Sequence, residues 1–195
     1  MNMPNLLTLT RIFLAPVFML LFMIENFYAK LVGLGLFIVA ALTDLADGYY
    51  ARKYGVITGF GKFMDPLADK ILVSSALITF IALKYVSPVP VVLIVGREFI
   101  ITGLRLLAAY KGVIIPPSWG AKLKTFLQMF VVGLVMGYIC LIVTLQHFES
   151  PALTYFEFDY SFYFNLLLWI TAAVTVWSGI DYIAKYFYMI KTVLK

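Results

Sequence analysis

Cysteine and histidine are almost absent from this sequence, and charge is scarce. Cys140 is the only cysteine among 195 residues, so no intrachain disulfide can form. It sits in an apolar run, where plain packing is its expected role. His147 is the only histidine. Zinc sites and histidine-based catalysis are both disfavoured, because no second imidazole exists to build the usual sites. Charged residues make up 13% of the chain and hydrophobic residues 63%, against about a quarter and about half in a soluble domain. The mean hydropathy is +0.97. These values point to an integral membrane protein, and the length to one domain over 1–195. The start has no basic segment followed by a small-residue cleavage site, so no cleavable signal is expected. Neither an internal repeat nor a low-complexity linker is visible. The net charge of +5 predicts attraction to an anionic leaflet and to anionic substrates, not to nucleic acid.

The apolar runs predict an all-α membrane protein with six transmembrane helices. The run Ile12 to Ile24 is too short for the roughly 20 residues a span needs, so the first span must include the turns after Met3-Pro4-Asn5. Asn5 or Asn2 is a candidate cap there, and Pro4 is tolerated in a first turn. The others are expected near Leu31–Tyr50, Phe63–Leu83, Val91–Tyr110, Phe126–Thr144 and Phe164–Ile183. Gly33 and Gly35 in the second are expected to allow close helix packing. Pro66 is expected early in the third, where a missing N–H does little harm. One set of connecting segments carries most of the basic residues, among them Arg52, Lys53, Lys111, Lys122, Lys124 and Lys185. The positive-inside rule makes that side cytoplasmic and puts both termini there.

Against this apolar background, four of the ten acidic residues fall between Asp44 and Asp69. An ionisable group inside a membrane helix is expensive and marks function by default. Asp44 and Asp47 are three apart and share a helix face; Asp65 and Asp69 are four apart and share another. A polar, glycine-containing link joins them. Four carboxylates converging at the cytoplasmic ends of spans two and three suit hard cations, Mg²⁺ or Mn²⁺. That many ligands make two ions plausible, an arrangement that clamps the two oxygens of a phosphoryl displacement. A polar cavity open to the cytoplasm follows.

The full pattern is Asp44, two residues, Asp47, Gly48, two residues, Ala51, Arg52, eight residues, Gly61, three residues, Asp65, three residues, Asp69. It resembles, at every defining position, the signature of the CDP-alcohol phosphotransferases, membrane enzymes that move a phosphatidyl or similar group from a CDP-linked donor to an alcohol. The resemblance implies that Asp44, Asp47, Asp65 and Asp69 are metal ligands and that Asp69 is also the general base; spacing does not separate these roles. It implies that Gly48, Ala51 and Gly61 line the cytidine site. Taken alone, Gly48 and Gly61 also fit ordinary helix packing and a turn. Asn5, Thr8, Arg11, Asp47 and Arg52 complete the expected CDP-lipid contacts. Arg11 is either a donor aimed at the diphosphate or an anchor whose head snorkels to the interface. Arg52 is either a partner for the phosphates or a positive-inside anchor.

Three further stretches resemble the phosphatidylglycerophosphate synthase branch of that family: PNLLTLTR from Pro4, GREFIITGLRLLA from Gly96 and SWGAKLKTFLQM from Ser118. That branch implies CDP-diacylglycerol as donor and glycerol 3-phosphate as acceptor, in contact with membrane lipids. Members often form homodimers. A phosphorylated acceptor needs cationic partners, and Arg105, Lys124, Lys122 and Arg97 are the candidates. Arg97 lies nearer the outer half and is expected to pair with a carboxylate such as Glu98 or Asp181. Asp181 itself is expected to be structural. Serine, inositol, inositol phosphate or phosphatidylglycerol as acceptor are the alternatives within the family. A divalent-cation transporter is the alternative outside it, though it leaves Gly48, Ala51 and Gly61 unexplained.

Overall fold

The computed structural model describes residues 3–54, 59–113, 119–156 and 159–187; within its helices, the side chains of 3–5, 7, 44–54 and 59–63 lie outside that description. Among the described residues the chain is all helical. Six α-helices run Met3–Met23 (α1), Phe27–Tyr54 (α2), Gly59–Ala82 (α3), Pro88–Tyr110 (α4), Trp119–His147 (α5) and Tyr160–Lys185 (α6), with a 3₁₀ turn at Pro151–Phe156 before α6. Each of the six expected apolar segments overlaps one α-helix. By length and hydropathy, α5 and α6 are long and apolar enough to cross a membrane, and Thr8–Met23 and Phe27–Thr43 form shorter apolar stretches. Large apolar side chains face outward along the helices, among them Phe13, Val92, Phe126 and Trp177. In water such a surface would be an aggregation hazard; facing lipid it is at no disadvantage.

The chain forms two compact units. The first holds residues 1–85 and 132–160, the second 86–131 and 161–195. In the first, α1 packs on both α2 and α3. Ala15, Phe18 and Phe22 of α1, Phe37 and Ala40 of α2 and the face Ala68, Leu72, Ala76, Phe80 of α3 are all buried. The Phe18 ring lies 5.5 Å from Phe22 and 5.3 Å from Phe37. Gly33 packs closely here: a Cβ would come 3.2 Å from Phe22 Cδ2. Gly35 does not share that role, since a Cβ there would meet nothing within 4 Å. Two residues apart on a helix are about 200° apart around its axis, so the two glycines cannot both face α1.

Several boundaries differ from expectation. Asn5 lies inside α1 rather than at its cap. Helix α3 begins at Gly59, so Gly61 is helical rather than part of a turn and Pro66 falls in the interior. Its missing N–H leaves the carbonyl four residues earlier without its helical donor. Asn26 caps α2, its Oδ1 accepting from the Ala29 N–H at 3.2 Å. At the other end of α1, Lys30 is buried and its ammonium donates to the Phe22 carbonyl at 3.0 Å. His147 stacks on the Phe27 ring at 4.3 Å, which accounts for it as packing. Cys140 is free and buried, as its apolar run predicts.

In the second unit α4 starts at Pro88, directly after Ser87 in extended conformation, as a pre-proline residue should be. The Ser87 N–H donates to Asn165 Oδ1 of α6 at 2.7 Å. Helix α6 turns a polar stripe inward: Thr171, Thr175, Ser178 and Tyr182 are all buried, at intervals of four, three and four residues that keep one face. Gly120 lets the start of α5 approach α6, where a Cβ would come within 3.2 Å of Ser178 Cβ.

Candidate active site

In the first unit, Asp65 and Asp69 lie one turn apart on α3, both partly buried. Thr8, buried on α1, donates its hydroxyl to Asp65 Oδ1. This contact fixes one carboxylate oxygen from a neighbouring helix. The Asp69 side chain is 38% exposed, and its Oδ2 takes the Lys70 ammonium at 2.6 Å. Arg11 is 1% exposed, so it does not snorkel. Its Nε donates at 3.3 Å to the carbonyl of Ala40 on α2, which also accepts the Thr43 hydroxyl at 2.8 Å. Ala40 is one turn before Asp44, so Arg11 is anchored beside the α2 half of the motif. Asp44, Asp47, Gly48, Ala51 and Arg52 fall on α2, Gly61 on α3 and Asn5 on α1; their side-chain geometry lies outside the described residues.

The donors on the page are carboxylate and hydroxyl oxygens. Among the described residues no three His, Cys, Asp or Glu side chains gather, since two of the four motif carboxylates are not among them. The described pair fits a hard divalent ion in chemistry: oxygen ligands one turn apart, one of them oriented by a hydroxyl from another helix.

The second unit gathers the other candidates. Arg97, Glu98 and Arg105 come from α4, Lys124 from α5, and Ser178 and Tyr182 from α6. Glu98 and Lys124 are buried, 3% and 4% exposed, and are directly ion-paired through Glu98 Oε1. Arg97 Nη1 lies 3.4 Å from that same oxygen, and its Nη2 donates to Ser178 Oγ at 3.0 Å. Of the two carboxylates expected for Arg97, Glu98 is therefore the one it meets; Asp181 is exposed. Gly179 makes room for this arginine, as a Cβ there would come within 3.1 Å of Arg97 Cγ and Nε. Arg105 Nε donates to Tyr182 Oη at 3.4 Å, with the guanidinium 5.0 Å from the centre of that ring. Arg97 Nε and Arg105 Nη2 are buried with no hydrogen-bond partner. Lys122 is exposed and apart from the cluster's hydrogen bonds.

Sequence reasoning named Glu98 only as a partner and missed Ser178 and Tyr182. A carboxylate in an apolar helix was itself a signal for Glu98. Tyr182 carried none, as one of 13 tyrosines.

The comparisons bear on the whole chain. The model of the CDP-alcohol phosphatidyltransferase family matches residues 1–177. A Rickettsia typhi protein named CDP-diacylglycerol–glycerol-3-phosphate 3-phosphatidyltransferase is 41% identical over 182 residues, 93% of this chain and 94% of the relative. A Bacillus subtilis protein of the same name is 39% identical over 204 residues, 98% of each. A Mycobacterium tuberculosis protein named probable phosphatidylglycerophosphate synthase is 45% identical over 136 residues, 68% of this chain and 65% of the relative. With its spaced aspartates, its apolar helices and a family match over nearly its full length, the chain belongs to the membrane-bound CDP-alcohol phosphatidyltransferase family.

Proposed function

We propose that this protein transfers the phosphatidyl group of CDP-diacylglycerol to sn-glycerol 3-phosphate, giving phosphatidylglycerophosphate and CMP. The observation that carries the reading is identity of 39–41% over 93–98% of the chain to relatives named for that reaction. The chain acts as one catalytic domain. Its six helices each span the membrane, and the basic segments put both termini and the aspartate motif on the cytoplasmic face of the cell membrane.

In this reading Asp44, Asp47, Asp65 and Asp69 would hold two divalent ions, Mg²⁺ or Mn²⁺. Bound there, the ions would offset phosphate charge and acidify the acceptor hydroxyl. Thr8 orients Asp65, and Asn5, Arg11, Asp47 and Arg52 hold the CDP group. Gly48, Ala51 and Gly61 leave room for the cytidine beside the helices. Asp69, whose side chain is 38% exposed, takes the proton of the acceptor hydroxyl. The hydroxyl oxygen bonds to the β-phosphorus as the bond from that phosphorus to the bridging oxygen breaks, and CMP departs with the electron pair. Arg105, Lys124, Lys122 and Arg97 receive the acceptor's phosphate, and the arginine fork suits it best.

The test is CMP release from CDP-diacylglycerol by purified protein in detergent with Mg²⁺, across a panel of acceptors. Release that requires glycerol 3-phosphate and is lost with EDTA is expected. Release with serine or inositol in its place would overturn the acceptor. No release with any acceptor, from folded protein, would overturn the reaction class.

A further inference from the structure

The three cations gathered in the second unit are held differently. Lys124 and Arg97 converge on one carboxylate oxygen of Glu98, and Arg97 has Ser178 besides. Arg105 meets no carboxylate among the described residues. What it meets is Tyr182: the hydroxyl accepts from Nε at 3.4 Å, and the ring lies 5.0 Å from the guanidinium. Tyr182 is itself fixed, 1% exposed and packed with Ile101, Leu104 and Tyr186. Arg105 Nη2 is buried and has no acceptor. A buried polar group left unpaired costs about 1–3 kcal/mol, and more when charged. An arginine kept for structure alone would not need to bear that cost.

We infer that Tyr182 is a positioning residue that holds Arg105 so that its guanidinium keeps an unpaired N–H for the phosphate of a phosphomonoester acceptor. The inference rests on the proposed reaction, in which that acceptor is glycerol 3-phosphate. The cation–π contact with the ring, 5.0 Å to its centre, restrains the guanidinium. The hydroxyl, bonded to Nε, fixes its rotation. An arginine side chain carries about 2 kcal/mol of rotamer entropy, and Tyr182 removes much of that freedom before the acceptor arrives. Glu98 acts in parallel by neutralising one neighbouring cation, so the cluster is not a bare accumulation of like charge.

The experiment is steady-state kinetics of Tyr182→Phe and Tyr182→Leu, alone and in an Arg105→Lys background, with both substrates varied. Tyr182→Phe keeps the ring and is expected to raise the glycerol 3-phosphate KM about threefold, the net value of one hydrogen bond. Tyr182→Leu loses ring and hydroxyl and is expected to raise it about thirtyfold. The CDP-diacylglycerol KM should stay within about twofold in both, which also reports an intact fold. In the Arg105→Lys background the effect of Tyr182→Phe should vanish, because the contact it removes is already gone. Equal changes in both KM values, or a Tyr182→Phe effect that persists in that background, would overturn the positioning role. So would an unchanged glycerol 3-phosphate KM in Tyr182→Phe. These outcomes leave the proposed reaction standing if the wild type still requires glycerol 3-phosphate. A wild type that takes only an uncharged alcohol would overturn both.

Discussion

The two compact units meet the same physical problem and solve it differently. Each buries cationic side chains in an apolar helical environment. In the first unit main-chain carbonyls take part: Arg11 Nε bonds to the Ala40 carbonyl, and the Lys30 ammonium to that of Phe22. In the second unit side chains do so: Glu98 for Lys124 and Arg97, Tyr182 for Arg105. A carbonyl acceptor cannot be deleted by substitution, so these two contacts persist whatever side chain stands in place of Ala40 or Phe22. A side-chain acceptor can be deleted, so the second unit depends on single residues, and those residues are open to adjustment around a ligand.

The largest expected effect breaks the first unit's function without touching its fold. Asp65→Asn should reduce CMP release to background while the protein keeps its thermal unfolding midpoint, because the residue is partly exposed and, in the proposed reading, serves a metal ion rather than the core. Retained turnover would remove Asp65 from the metal-binding set. Next is the second unit's stability. Glu98→Ala strands buried charge and should destabilise the protein by about 3–5 kcal/mol, read as a lower unfolding midpoint in detergent. Adding Lys124→Met should recover much of that loss, since an apolar replacement of a buried pair is often neutral. No recovery would mean that Arg97, rather than Lys124, is the charge Glu98 chiefly balances.

Smaller effects sharpen the contrast within the first unit. Thr8→Val should raise the Mg²⁺ concentration for half-maximal CMP release by about 10–100-fold, as loss of a hydrogen bond that orients a metal ligand usually does. An unchanged Mg²⁺ requirement would reduce the Thr8–Asp65 contact to helix packing. Gly33→Val should cost about 1–3 kcal/mol by forcing side-chain volume against Phe22. Gly35→Ala should stay within about 0.5 kcal/mol. Equal costs at the two glycines would show that α2 is not seated on α1 as described.

The six helices were legible because each contains a long apolar run, and length and hydropathy suffice to find those. Their ends were less so. Helix α3 extends four residues before the expected Phe63, through Gly59 and Gly61, because glycine weakens a helix without forbidding it. The 3₁₀ turn at Pro151–Phe156 has no apolar periodicity to announce it. At the site, the aspartate motif could be read because its members sit at fixed short spacings. The Arg105–Tyr182 contact could not, with 77 residues between its partners and no pattern linking them. The interior position of Arg11 was also beyond sequence: an arginine at a helix start looks the same whether its head reaches water or the Ala40 carbonyl.

Cys140 gives this molecule a built-in reporter. It is the only thiol in the chain, and it is buried in the first unit. A thiol-reactive dye added to the unmodified protein in detergent therefore labels one site, and labels it fast only when that region of α5 opens. The rate of fluorescence gain on heating, with and without CDP-diacylglycerol, would measure how much the donor tightens the unit that carries the aspartates, with no mutation introduced.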